Sequence, residues 1–103
     1  MLVTDKWKMH MIGRPGSDCT APYSIDLLSD ITVAEFIEEV LKDDREWGYI
    51  GIANHGAIFG DPHCEYKHGK LLCELPEEFA DKKVVYATAS GGWTRMDYLL
   101  KVE

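Results

Sequence analysis

Only one stretch of this 103-residue chain repeats its apolar residues with the period of a helix long enough to cross a core. Nearly every other apolar run alternates like a strand. That imbalance constrains the fold most, because a lone helix must bury its stripe against a sheet. The helix start is well specified. Thr32 precedes Val33-Ala34-Glu35, a Thr-x-x-Glu capping box in which the hydroxyl accepts from the Glu35 amide and the carboxylate reaches back to the Thr32 amide. Ile31 before the cap and Phe36 beyond it form a hydrophobic staple. Val33, Phe36, Ile37, Val40 and Leu41 then fall on one face. Glu35, Glu38, Glu39 and Asp43 occupy the others. The pattern is expected to stop near Asp44, since Trp47-Gly48 opens a different one.

The remaining segments read as strands. Trp7-Lys8-Met9-His10-Met11 and Tyr23-Ser24-Ile25-Asp26-Leu27 alternate apolar with polar. Tyr49-Ile50-Gly51-Ile52-Ala53 carries no charge, which suits a central strand. Cys64 to Lys67 and Lys70 to Cys73 flank His68-Gly69, a two-residue loop ending in Gly that signals a hairpin. Leu75 to Phe79 reads as a short helical turn or loop, with Pro76 near its start. Val84 to Thr88 is a strand that Ser90-Gly91-Gly92 turns. Trp93 to Val102 is the last strand, with Met96, Tyr98, Leu100 and Val102 sharing one face. No linker or repeat divides the chain, so residues 1–103 are expected to form one domain. The order is two strands, one helix, then three or four strands. It predicts an α+β fold in which a single helix packs on one face of a four- to six-stranded mixed or antiparallel sheet, in the order ββαββ(β).

The run "DITVAEFIEEVL" after the strand Tyr23 to Leu27, the His68-Gly69 hairpin and the closing strand together resemble the ubiquitin-like β-grasp fold, over roughly Met9 to Val102. Ubiquitin and its sulfur-carrier relatives end in a Gly-Gly carboxylate. This chain ends Lys101-Val102-Glu103, and its Gly91-Gly92 pair lies inside a turn. The resemblance therefore implies a fold, and neither conjugation nor sulfur transfer.

A chain of this length supports one core without disulfide staples, and three Trp, five Tyr and three Phe are ample packing material. Met1 to Gly13 lacks the continuous apolar run of a signal peptide, and no window approaches the ~20 apolar residues of a membrane span. Cys19, Cys64 and Cys73 are accordingly expected as reduced thiols in a cytoplasmic protein. Their odd number forbids a complete internal disulfide set.

Candidate chemistry gathers between Asn54 and Cys73. His63, Cys64, His68 and Cys73, with His55 nearby, supply ligand types that zinc accepts. The spacing argues against them. There is no C-x₂-C knuckle, adjacent strand residues His63 and Cys64 point to opposite faces, and Cys64 and Cys73 read as out of register across the turn. No metal and no cofactor is assigned, and His55, His63, Cys64 and His68 stand as an alternative ligand or metal site. Asn54-His55-Gly56 is the most site-like tripeptide, because a His titrating near neutrality serves as acid or base; a plain turn is the competing reading. No nucleophile elbow or cysteine-protease signature accompanies these residues. Ser90-Gly91-Gly92-Trp93 offers turn amides to an anion, yet neither the Lys nor the helix of a phosphate loop follows. Trp93, Arg95 and Tyr98 are residue types that anchor interfaces, with packing on the sheet as the alternative for the aromatics.

Eighteen Asp and Glu against 11 Lys and Arg give a net charge of -7, which repels nucleic acid phosphates and anionic membranes. The charge is polarised. Residues 1–22 carry +1, residues 23–82 carry -9 and residues 83–103 carry +1. The expectation is a small acidic, non-enzymatic module that binds a protein with a basic surface. It would use Glu35, Glu38, Glu39 and Asp43 on the helix, and Trp93, Arg95 and Tyr98 on the sheet. The alternative is a ligand-binding or catalytic domain centred on residues 54–68.

Overall fold

The computed structural model describes residues 4–12, 21–42, 47–53, 63–74, 77–91 and 94–103, with positions 21, 22, 53 and 63 described by backbone alone. In chain order the elements are β1 (Trp7–Met11), β2 (Ala21–Leu27), α1 (Val33–Leu41), β3 (Trp47–Ala53), β4 (His63–Lys67), β5 (Lys70–Leu71), α2 (Glu77–Ala80), β6 (Val84–Gly91) and β7 (Met96–Val102). The seven strands form one mixed sheet in the order β1-β2-β6-β7-β3-β4-β5. Every neighbouring pair is antiparallel except β3 and β7, which run parallel from Ile50↔Tyr98 to Ala53↔Lys101.

This architecture corrects the expected single helix on a four- to six-stranded sheet. Five strands follow α1 rather than three or four, and residues 77–80 close into a second short helix. The sheet is larger because all five strand segments after α1, the two-residue β5 included, join the same sheet as β1 and β2, with β6 and β7 between β2 and β3. Such pairing is non-local, and alternation along a strand assigns its faces without naming its neighbours.

Helix α1 begins where the capping box requires. The Thr32 hydroxyl accepts from the Glu35 amide at 3.3 Å, and Glu35 Oε1 accepts from the Thr32 amide at 3.2 Å. The Ile31 carbonyl accepts from the Val84 amide at 2.8 Å and the Val33 amide donates to the Lys82 carbonyl at 3.0 Å, tying the helix start to the start of β6. Val33, Phe36, Ile37 and Val40 are buried, with Leu41 half-buried behind them. Lys6 Nζ pairs with the Glu35 carboxylate, and this bond, followed by the one from the Thr32 amide, holds Glu35 below its ordinary value of 4.5.

A depressed folded pKa means that Glu35 contributes its stability above the unfolded value, and loses it as pH falls through the folded one. Thermal melts between about pH 3 and 6 are therefore expected to show an acid-side loss that Glu35→Gln reduces. Equal slopes in both proteins would remove the assignment. Thr32→Ala is expected to cost about 1 kcal/mol at neutral pH.

Both helices contribute to one core cluster with the sheet: Phe36 of α1 and Phe79 of α2 join Trp7, Ile25, Ile50, Ile52, Tyr66, Ala87 and Leu100. The buried Tyr66 hydroxyl is satisfied by donating to the Met96 carbonyl at 2.7 Å.

The β4–β5 hairpin turns at His68 and Gly69, with φ of 50° and 78°. Positive φ at both central residues is the type I′ requirement, and its twist matches that of the flanking strands. The ladder pairs Lys67 with Lys70 and Tyr66 with Leu71, and the Leu72 amide donates to the Glu65 carbonyl at 2.8 Å. One step further Cys64 faces Cys73, and the two are joined in a disulfide with their Cα atoms 5.6 Å apart. Two sequence expectations are thereby corrected. The cysteines are in register across the turn, and in this structure they are not reduced thiols.

Candidate binding corner on the open sheet face

Because α1 and α2 both pack into the same core cluster, the second face of the sheet carries neither of them. Alternation assigns that face. In β3 the buried Ile50 and Ile52 point to the core, so Trp47 and Tyr49 point away. In β7 the same holds for Asp97 and Leu99 against Met96, Tyr98 and Leu100.

Cross-strand register then gathers side chains at one corner. Trp47 bridges to Arg95 on one side and pairs with Lys67 on the other, and Lys67 pairs with Lys70. Directly opposed residues share a face. The result is a row of Arg95, just ahead of β7, with Trp47, Lys67 and Lys70 on β3, β4 and β5. Beside it runs a second row of Asp97, Tyr49 and Glu65, extended by Leu72 through its bond to Glu65.

The Arg95 guanidinium is fixed rather than loose. Its Cζ lies 5.0 Å from the centre of the Trp47 ring and 5.4 Å from that of Tyr49. Its Nε donates to both Asp97 oxygens at 3.2 Å, and Nη2 to Oδ2 at 3.1 Å. The hydrogen bond to Asp97 raises the Arg95 pKa, so its charge is permanent. Asp97 Oδ1 also accepts from the Tyr49 amide at 3.0 Å, which locks β3 against β7. Lys67 and Lys70 are exposed and have no carboxylate partner among the described residues. Leu72 is 54% exposed. Chemically, the corner offers an apolar surface of Trp, Tyr and Leu edged by cations, on a protein whose net charge is negative.

Of the residues expected to bind a partner, Arg95 lies in this corner. Tyr98 does not. It is 2% exposed and packs against Phe36, Trp7 and Tyr66, so it supplies core rather than interface. Two carboxylates of the acidic helix face are engaged by cations, Glu35 by Lys6 and Glu39 by Lys42 at 2.8 Å. Glu38 is exposed. Asp43, Trp93 and His55 lie outside the described residues, as does the whole of 54–62. His63 enters β4 opposite Gly51, His68 is the exposed first turn residue, and Cys64 is held in the disulfide. Among the described residues no three of His, Cys, Asp and Glu converge as metal ligands do.

Sequence reasoning missed Trp47, Tyr49, Lys67 and Lys70. The i, i+2 spacing within each strand carried the facial information, whereas the β3–β7 parallel register that brings the strands together has no local signal.

Away from this corner, a concavity of about 360 Å³ is lined by Leu27, Leu28, Asp30, Lys83, Val85 and Glu103, among others. Its lysine is already paired with Asp30 at 2.8 Å, so it offers a ligand no unneutralised cation. No helix of the described residues is long and apolar enough to cross a membrane. No protein-family model, curated protein or solved structure matches the chain.

Proposed function

We propose that this chain is a protein-binding module that engages its partner through the Trp47–Tyr49–Arg95 corner of the open sheet face. The observation that carries the reading is the stack of Arg95 on Trp47 and Tyr49, held by Asp97 and flanked by the exposed Lys67 and Lys70. Tyr, Trp and Arg dominate the energetics of protein interfaces, and a preorganised arginine loses little freedom on binding. The cationic row favours a partner segment with acidic residues beside an apolar one, and the acidic remainder of the molecule repels that segment elsewhere. The reading takes the docking face from the acidic helix to the sheet, because Glu35 and Glu39 of that helix are already paired with Lys6 and Lys42.

The test is affinity capture from a lysate of the source cells, comparing wild type with Trp47→Ala, with the double change Lys67→Glu and Lys70→Glu, and with Glu38→Lys. Trp47→Ala is expected to weaken capture by about 2 kcal/mol, or roughly thirtyfold. The double reversal is expected to weaken it and to remove its salt dependence. Glu38→Lys should leave it unchanged. Capture that survives the sheet changes and fails with Glu38→Lys would move the site to the helix. Melting curves of each variant separate lost contact from lost fold.

A further inference from the structure

The Cys64–Cys73 pair has two unlike ends. Cys64 is 1% exposed beneath the sheet and opposite Ile50, whereas Cys73 is exposed on the segment leaving β5. The hairpin register sets them face to face, and a Cα separation of 5.6 Å lies within the span a disulfide bridges. The bridge also closes the least supported part of the sheet. Strand β5 is two residues long, Lys70, Leu72 and Glu74 are exposed, and Leu71 alone of this stretch is half-buried against the core. With few buried contacts to offset its ordering entropy, such a segment opens locally unless it is tethered.

We propose that Cys64–Cys73 is a thiol–disulfide exchange site, with Cys73 as the sulfur that small thiols attack and Cys64 as the buried leaving and resolving sulfur, and that its redox state decides whether β5 stays paired with β4. The co-reactant is a low-molecular-weight thiol of the glutathione type. Its thiolate attacks Cys73 Sγ, forming a mixed disulfide as the Sγ–Sγ bond breaks. Cys64 leaves as a thiolate and takes a proton. A second thiolate then attacks the sulfur of the small thiol in that mixed disulfide, releasing the small-molecule disulfide and Cys73, which takes a proton. Two electrons pass from two thiols to the protein disulfide, so atoms and charge balance. The reverse sequence reforms the bridge, with Cys64 displacing the small thiol from Cys73. Reduction removes the tether, and the outer edge of β4 is left with unpaired amides and carbonyls.

The experiment equilibrates the full chain with reduced and oxidised glutathione. The products are then acid-quenched, alkylated and located by peptide mass mapping, which also keeps Cys19 apart from the pair. In oxidising buffer the peptides holding Cys64 and Cys73 are expected to be linked. During limited reduction the glutathionyl adduct is expected on Cys73 at least about tenfold more often than on Cys64, the ratio an opening cost of about 1.4 kcal/mol sets. Cys64→Ser is expected to trap that adduct on Cys73. Should this buried change unfold the chain, Cys73→Ser at the exposed position serves instead, and is expected to leave Cys64 unmodified. Native-state exchange of the Leu72 amide, which donates to the Glu65 carbonyl across the β4–β5 pair, is expected to accelerate at least about tenfold on reduction while Ile50 and Leu100 hold. Unlinked cysteines in oxidising buffer, or adducts spread evenly between the two, overturn the exchange site. Unchanged exchange at Leu72 overturns the control of β5.

Discussion

Phe36→Ala is expected to lower the unfolding free energy by about 3–5 kcal/mol, read as a shift in the midpoint of urea denaturation with little change in its slope. The reason is the place of this ring. Phe36 is fully buried and stacks on Trp7 with centroids 4.8 Å apart and planes within 11°. It meets Tyr98 edge-on at 5.7 Å, and Trp7 meets Tyr98 in the same manner at 6.2 Å. Three rings from α1, β1 and β7 thus share one contact, and removing the middle one opens a void with walls on three elements. Trp7 lies on the terminal strand of the sheet, so it cannot collapse into that space without pulling β1 from β2. Aromatic pairs add about 0.5–1.5 kcal/mol beyond burial, and two such pairs are lost. A domain of this size is stable by roughly 5–15 kcal/mol, so the variant is expected to be marginal at 37 °C. Phe36→Leu, which keeps much of the volume, is expected to cost about 1–2 kcal/mol. A loss below about 1 kcal/mol for the alanine variant would mean that the ring does not wedge these elements together.

That ring was legible in the sequence, and the contrast with what was not is instructive. Helix α1 was readable because its signals are local: Thr32 and Glu35 are three residues apart, and the stripe from Val33 to Leu41 repeats within two turns. His68-Gly69 was readable for the same reason. The faces of the strands were readable too, since Met96, Tyr98 and Leu100 alternate with Asp97 and Leu99. Assigning Tyr98 to an interface set its residue type above that alternation, and the alternation was right. The Cys64–Cys73 pairing was available by counting outward from the turn, as 67 with 70 and 66 with 71. It was obscured by the odd cysteine count and by reasoning from compartment.

Which strand neighbours which was not available. Ala21 pairs with Gly91, and Ile50 with Tyr98, across long stretches of intervening chain. Such contacts are chosen by the whole core, not by any window of residues. The binding corner depends on them, because Trp47 and Arg95 become neighbours only through the parallel β3–β7 register. Arg95 could be singled out by residue type, but not the ring on which it rests.

Gly48 marks the same limit, and its replacement tests the β3–β7 register directly. Gly48→Ala is expected to destabilise the protein by about 2–6 kcal/mol, combining a strained backbone with an overpacked contact. The residue adopts φ of +155°, a region that side chains rarely enter. An added Cβ would overlap the Met96 carbonyl oxygen, and would lie 2.7 Å from the carbonyl carbon and 2.9 Å from Asp97 Oδ1. Backbone cannot rotate aside as a flexible side chain does, so β3 must move away from β7. That movement breaks the bond from the Tyr49 amide to Asp97, and with it the support of Arg95. The same Met96 carbonyl accepts from Tyr66, so the displacement also strands a buried hydroxyl. The sign of the effect is the decisive part. Where a glycine occupies ordinary backbone, alanine stabilises by about 0.4–1 kcal/mol through the unfolded chain. Urea denaturation of Gly48→Ala beside wild type reads that sign, and a neutral or stabilised variant would show that β3 and β7 do not approach at this point. The exposed change Val85→Ala is the control, expected within about 0.5 kcal/mol of wild type.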